Sequence, residues 1–286
     1  MSYEIQRIAV LGAGTMGHGI AHVAAASGYD CSLFDLDEGA LDRGLAQVKT
    51  NLEKGIARGK VSEEEMEAAL GRLDGHTSLA VAVEDADLVI EAVPEIMSLK
   101  KSIFAELSSL APQHAILASN TSSLSVTEIA AAAQRPAQVI GMHFFNPVHI
   151  LKLLEIVVAE QTSDATLAAV RSVGERMARE LVVVKDSPGF ASSRLGLCLG
   201  LEAIRMVEQG VASAEDIDKA MVHGYKHPMG PLRLTDLVGL DVRLKIAEYL
   251  HQELGSESFR PPELMRQMVA DGKVGKKSGQ GFYSWD

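Results

Sequence analysis

Cysteine is scarce: the 286 residues hold two, Cys31 and Cys198. They form no CxxC pair, and no His/Cys/Asp/Glu cluster has metal-ligand spacing. A disulfide framework and a resident metal are therefore not expected, and a reduced, cytoplasmic chain is. No run approaches ~18 uninterrupted apolar residues, so no membrane-spanning segment is expected. The opening "MSYEIQRIAVLGAG" lacks the charged n-region and apolar core of a signal peptide. Positive charge is also short, with 27 Lys and Arg against 38 Asp and Glu, a net −11. Without a basic stripe, nucleic acid is not an expected partner. Low-complexity tracts and repeats of solenoid period are missing too. What is present is ordinary globular composition, 47% hydrophobic and 23% charged. The length suits two domains at roughly 100–200 residues each.

Short apolar runs of strand type alternate with longer helical patterns through the first two thirds of the chain. Strands are expected at Arg7–Leu11, Asp30–Phe34, Leu88–Ala92, Ile116–Ser119, Val139–Met142, Leu153–Val158 and Leu181–Val184. Between them lie helical patterns, among them a pair over Glu38–Leu73 that breaks near Gly59 and restarts at "SEEE". "SVTE" reads as a capping box, with Ser125 the N-cap and Glu128 closing it. This alternation predicts a mostly parallel sheet covered on both faces, an α/β domain. Past "KDSPGF" the pattern changes to helices that stop at glycines, with no convincing strand. The expected division is an α/β domain over 1–185 and an all-helical domain over 186–286.

"RIAVLGAGTMGHGIAHVAAASGYDCSLFDLD" places Gly12, Gly14 and Gly17 between a strand and an Ala-rich helix, with Thr15 and Met16 inside the loop. A second strand ends at Asp35, about 20 residues on. The glycines allow a tight turn, close approach of backbone to a pyrophosphate, and close helix–sheet packing. The helix N-terminus offers unpaired N–H groups to the diphosphate. Asp35 suits the adenosine ribose hydroxyls and repels a 2′-phosphate, which favours NAD over NADP. Read alone, Asp35 could also be a helix cap after a strand, the less favoured reading.

A second stretch, "VIGMHFFNPVHILKLLEIV", sets His143 just past an apolar strand and Glu155 within the next one. A histidine just past such a strand suits a general base of near-neutral pKa. If the second run folds back beside the first, the carboxylate meets the imidazole, orients it and stabilises its protonated form. A purely structural pair bracing two strands is the other reading. His149 nearby reads as structural or solvated.

With "HFFNP", "ASNTSSLS", "DSPGF", "HPMGPLRLTDLVGLD" and "GKKSGQGFY" in order along the chain, the sequence resembles the 3-hydroxyacyl-CoA dehydrogenase family over essentially its whole length. It is most similar to the bacterial 3-hydroxybutyryl-CoA branch. The resemblance implies a Rossmann-type domain, a helical domain that forms a homodimer, and NAD-dependent oxidation of an (S)-3-hydroxyacyl-CoA thioester, or the reverse. It assigns His143 and Glu155 the base and its partner, and gives Ser122 a hydrogen bond to the reacting oxygen. Asn120, Glu95 and Lys100 match contacts to the nicotinamide half of the cofactor. Asn146 helps hold substrate, and Lys54 is the candidate for the CoA phosphates. After "SPGF" the family commonly reads I-V-N-R, where this chain has Ala191-Ser192-Ser193-Arg194, so Ser193 takes an asparagine's place in the substrate site. The competing readings are a dehydrogenase of free hydroxy acids or sugar acids, and an NAD-binding protein without turnover.

Overall fold

A computed structural model describes residues 4–285 of the chain. The chain divides into two compact units that part in sequence between Ser187 and Pro188.

The first unit opens with β1 (Arg7–Leu11), α1 (Gly17–Ala26), β2 (Asp30–Phe34), α2 (Glu38–Ala57), α3 (Glu63–Leu70) and β3 (Leu73–His76). It continues through α4 (Leu79–Val83), β4 (Leu88–Glu91), α5 (Met97–Leu110), β5 (Ile116–Ser119), α6 (Val126–Ala130) and β6 (Val139–Phe144). It closes with β7 (Leu153–Val158), α7 (Asp164–Arg176) and β8 (Glu180–Lys185). The eight strands form one sheet in the order β3-β2-β1-β4-β5-β6-β7-β8. Every pairing is parallel except β6 with β7. This is a Rossmann-type sheet. Its strand order reverses at β1, and open α/β sheets bind ligands beyond the carboxyl ends of the strands at such a point. The central strands β4, β5 and β6 are buried along their whole length, which accounts for their largely apolar runs.

Two local expectations are corrected. The helical pair ends at Leu70, and Leu73 begins β3 instead. "LDGH" has no β-branched residue and pairs only with β2 at the sheet edge, so neither composition nor alternation marks it. Ser125 does cap α6 by accepting from Glu128 N, but the Glu128 carboxylate pairs with Lys101 at 2.7 Å rather than reaching back. The complete box lies at Ser62 and Glu65 instead. Asp186 of "DSPGF" also braces this turn, accepting from Ser125 Oγ at 2.8 Å and Thr127 N at 2.7 Å.

The second unit holds α8 (Ser192–Glu208), α9 (Ala214–Lys219), α10 (Pro231–Val238), α11 (Leu240–Leu254) and α12 (Glu263–Ala270). Leu197, Leu201, Ile204, Ile217, Leu232, Ala247, Leu250 and Met265 form its core. α10 begins inside "HPMGPLRLTDLVGLD" with Pro231 at its first turn, a favoured position because the missing N–H would be unpaired there. Two buried carboxylates explain the unit's other motifs. Asp218 accepts from Leu232 N and Arg233 N at the start of α10. Asp236, 1% exposed, accepts from Phe282 N, Tyr283 N and Trp285 Nε1, each at 2.9 Å. "GQGFY" therefore closes onto α10, and a Cβ on Gly281 would stand 2.1 Å from Asp236 Oδ1.

Candidate active site

The glycine loop runs from β1 into α1, and each glycine there answers a different constraint. Gly12 has φ 97°, and a Cβ on it would lie 2.9 Å from Ala92 O. A Cβ on Gly17 would lie 1.6 Å from Gly12 O, so the helix can pack this close only without one. Around Gly14 nothing lies within 4 Å. That open, exposed backbone next to a helix N-terminus fits the diphosphate of a dinucleotide. Thr15 is exposed beside it, and Met16 is half-buried against the core at the N-cap. Asp35 follows β2, and its Oδ2 accepts from Ala13 N at 2.8 Å. The carboxylate is thus tied to the glycine loop.

His143 and Glu155 are direct partners in the antiparallel β6–β7 pairing. The strand runs two residues further than expected, so His143 lies within β6 rather than past it. The parallel pairing with β5 stops at Gly141, and the antiparallel pairing with β7 carries β6 on to Phe144. The His143 imidazole is thereby fixed on a rigid strand at the sheet's ligand edge. Its Nδ1 lies 2.8 Å from Glu155 Oε2. A carboxylate only accepts, so Nδ1–H donates and Nε2 is left as the basic nitrogen of the neutral ring. His143 is 6% and Glu155 1% exposed, and the Phe145 ring covers the imidazole at 4.3 Å between centroids.

The loop after β5 sits beside this pair. Asn120 donates its N–H to Glu91 O, and its side-chain Oδ1 accepts from Phe144 N at 2.9 Å, next to His143. Ser122 donates to Glu95 Oε1 from both its backbone N, at 2.9 Å, and its hydroxyl, at 3.2 Å. Lys100 is 1% exposed, and its ammonium lies 2.6 Å from Glu91 Oε1 and 3.3 Å from Glu95 Oε2. Glu91, Ser119 and Thr121, all fully buried, belong to this network and escaped the sequence reading. The signal available was a carboxylate closing an otherwise apolar strand, "LVIE". Asn146 is exposed just beyond β6, before a cis peptide to Pro147. Lys54 is exposed on the last turn of α2. Ser193 is half-buried in the first turn of α8, on the second unit.

A histidine cluster flanks the glycine loop. His18 Nδ1 lies 2.7 Å from Gly14 O, and His22 stacks on His149 with centroids 5.3 Å apart. His22 is 6% exposed, and its Nδ1 finds no hydrogen-bond partner among the described residues. Burial, then the positive potential of His149, His18 and Arg179, lowers its pKa to about 4. Burial also lowers His149, with His18, Arg58 and Lys54 adding to it. Because the folded value of His22 lies below 6.5, the unfolded chain binds the proton more tightly, and stability falls as pH drops from 6.5 toward 4. At pH 5 the loss from His22 alone is about 2 kcal/mol. Urea unfolding at pH 7 and pH 5 should show this fall, with His22→Gln recovering most of it. An equal fall in both proteins would remove His22 as its source. Burial also pushes the Cys31 thiol up to about 12, which keeps it inert. Among the described residues no group of three or more His, Cys, Asp or Glu could hold a metal ion, and no helix is long and apolar enough to cross a membrane.

Comparison with known proteins adds to this geometry. The family model for the 3-hydroxyacyl-CoA dehydrogenase NAD binding domain matches residues 7–187, and that for the C-terminal domain matches residues 189–285. A probable 3-hydroxybutyryl-CoA dehydrogenase of Bacillus subtilis is 46% identical over 283 residues, covering 99% of this chain and 98% of the relative. A 3-hydroxybutyryl-CoA dehydrogenase of Mycobacterium tuberculosis is 44% identical over 287 residues, all of both chains. The crystal structure of an (S)-3-hydroxybutyryl-CoA dehydrogenase from Ralstonia eutropha superposes with a TM-score of 0.96 at 40% identity, covering 99% of this chain and 100% of that one.

Proposed function

The chain belongs to the 3-hydroxyacyl-CoA dehydrogenase family, and from that premise we propose that His143, Glu155 and Ser122 carry its chemistry. The protein is an NAD-dependent oxidoreductase that interconverts 3-hydroxyacyl-CoA and 3-oxoacyl-CoA. The observation that carries the residue assignment is the buried His143–Glu155 contact at 2.8 Å, on the ligand edge of a dinucleotide-binding sheet.

Bound NAD supplies the hydride acceptor at its nicotinamide ring. His143 takes the 3-hydroxyl proton through Nε2 as the carbon gives up hydride, and returns it in the reverse direction. Glu155 holds Nδ1–H, so the ring keeps the tautomer with a basic Nε2, and its charge stabilises the imidazolium that forms. The Ser122 hydroxyl hydrogen-bonds the reacting oxygen and polarises the ketone for hydride return. The cofactor is held by Gly12, Gly14, Thr15, Met16 and Gly17 around the diphosphate, Asp35 at the adenosine ribose, and Asn120 and Glu95 at the nicotinamide half. Glu95, with a side chain 37% exposed, can meet the nicotinamide ribose directly, and Lys100 joins it there, its ammonium 3.3 Å from Glu95 Oε2. Asn146 and Ser193 contribute to the substrate site, the shorter serine hydroxyl reaching through a water. Lys54 meets the CoA phosphates.

The α/β domain over residues 1–185 takes the nucleotide, and the helical domain over 186–286 forms a homodimer. The second of these roles is supported by Leu195 at 72% exposure, with Leu237, Val238 and Val242 also exposed. Pairing with a second copy is the commonest way for a soluble protein to cover exposed apolar side chains. The preferred thioester is 3-hydroxybutyryl-CoA, and the compartment is the cytoplasm.

Turnover of acetoacetyl-CoA with NADH, beside free acetoacetate, tests the substrate class. Activity on the thioester alone is expected; activity confined to the free acid overturns the reading. Asp35→Ala should weaken NAD binding and narrow the preference over NADP. A preference equal before and after the change removes Asp35 from the ribose.

A further inference from the structure

Glu91 ends β4 at 0% exposure, where an unpaired carboxylate would cost several kcal/mol. Each of its oxygens is occupied. Oε1 accepts from Lys100 Nζ at 2.6 Å and from Val93 N at 2.8 Å. Oε2 accepts from Ser119 Oγ at 2.7 Å. Lys100, in the first turns of α5, has three ammonium donors, and the structure offers three acceptors: Glu91 Oε1, Glu95 Oε2 at 3.3 Å and Val93 O at 3.4 Å. Glu95 then turns its other oxygen to the loop after β5. There Oε1 accepts from Thr121 Oγ1 at 2.6 Å, Ser122 N at 2.9 Å and Ser122 Oγ at 3.2 Å.

The contacts thus run from a buried anion, through a buried cation, to a half-exposed anion and on to the serine loop. Stability alone is a poor reason for such a pair, because apolar residues of the same shape often serve a core as well or better. What the pair does provide is direction. With Oε2 drawn to a buried ammonium, the Glu95 carboxylate cannot rotate away from the loop. Its strongest contacts fix Thr121 and the backbone of Ser122. The Ser122 hydroxyl is the longest of the three bonds, so it is the donor most readily exchanged for another acceptor. A hydroxyl held in place by its own backbone, with a weak bond to give up, is ready to meet a substrate oxygen without a search.

We propose that Glu91 and Lys100 are positioning residues for the reaction: the buried pair anchors Glu95, and Glu95 sets the Ser122 hydroxyl where the reacting oxygen arrives. This rests on the assignment of Ser122 made above. It gives Lys100 a role exercised through Glu95.

The test is a double-mutant cycle read in kcat for acetoacetyl-CoA reduction. Glu91→Gln is made alone and together with Ser122→Ala, and folding is monitored by circular dichroism and NADH binding. Glu91→Gln should lower kcat by about tenfold, as expected for a lost hydrogen bond to a charged group. In the Ser122→Ala background the same change should cost less than about twofold, because residues acting as a unit are not additive. Glu91→Asp should restore part of the rate by keeping the charge. If Glu91→Gln does not fold, Glu91→Gln with Lys100→Met leaves no unpaired buried charge and takes its place in the cycle. Equal losses in both backgrounds, or an unchanged kcat, overturn the positioning role and leave Ser122 standing. An unchanged kcat in Ser122→Ala alone overturns both.

Discussion

His143→Ala lowers kcat by about 10²–10⁴-fold, the range that a general base supplies, and does so in both directions of the reaction. The reason lies in what else could take the proton. The imidazole is 6% exposed and lies against Phe145, so bulk water has little access to replace it. Glu155 cannot substitute, since its carboxylate is on the far side of the ring at Nδ1 and is 1% exposed. Glu155→Gln should lower kcat by a smaller factor. The neutral amide keeps the shape but no longer stabilises the imidazolium, and its NH2 group can turn the ring to the wrong tautomer. The double variant should be no slower than His143→Ala, because the two groups work as one. Steady-state rates with 3-hydroxybutyryl-CoA and acetoacetyl-CoA decide the matter. A His143→Ala enzyme with its rate intact would mean that another group is the base.

The glycine loop gives the second large effect, and here two similar substitutions should part company. Gly17→Ala drives a methyl to 1.6 Å from Gly12 O and 2.8 Å from Gly12 C. Both obstacles are backbone, so α1 must shift against the sheet or the loop must open. The expected loss is about 3 kcal/mol or more, with cofactor binding abolished alongside it. Gly14→Ala meets nothing within 4 Å and needs no unusual backbone angle. It should fold with unchanged stability and still bind NADH at least about tenfold more weakly, because the new methyl stands where the diphosphate must approach. Urea unfolding and NADH titration of both variants separate the two roles. A destabilised Gly14→Ala beside a stable Gly17→Ala would reverse the assignment.

Much of the fold was legible because its signals are local. β1, β2, β5 and β7 are short, mostly apolar runs, and their bounds agree with those read from the sequence. The helix restart at Ser62 follows from a side chain that reaches an N–H group three residues away. β3 and α10 were not legible. The first is an exposed edge strand without a strand's composition, and the second lies inside a motif whose glycines and prolines read as turn.

The sequence by itself determined the dinucleotide loop, the alternating α/β architecture giving way to helices, and the presence of a histidine and a glutamate on successive apolar strands. Each depends on residues within a few positions of one another, where backbone geometry and periodicity act directly. Tertiary structure alone decided that β7 turns antiparallel and so brings His143 opposite Glu155. It also decided that the side chains of Glu91 and Ser119, 28 residues apart, are hydrogen-bonded, and that Lys100 points into the core. A carboxylate's partner depends on which strands become neighbours. That is settled by burying the whole apolar surface at once, because no short segment contains both members of the pair.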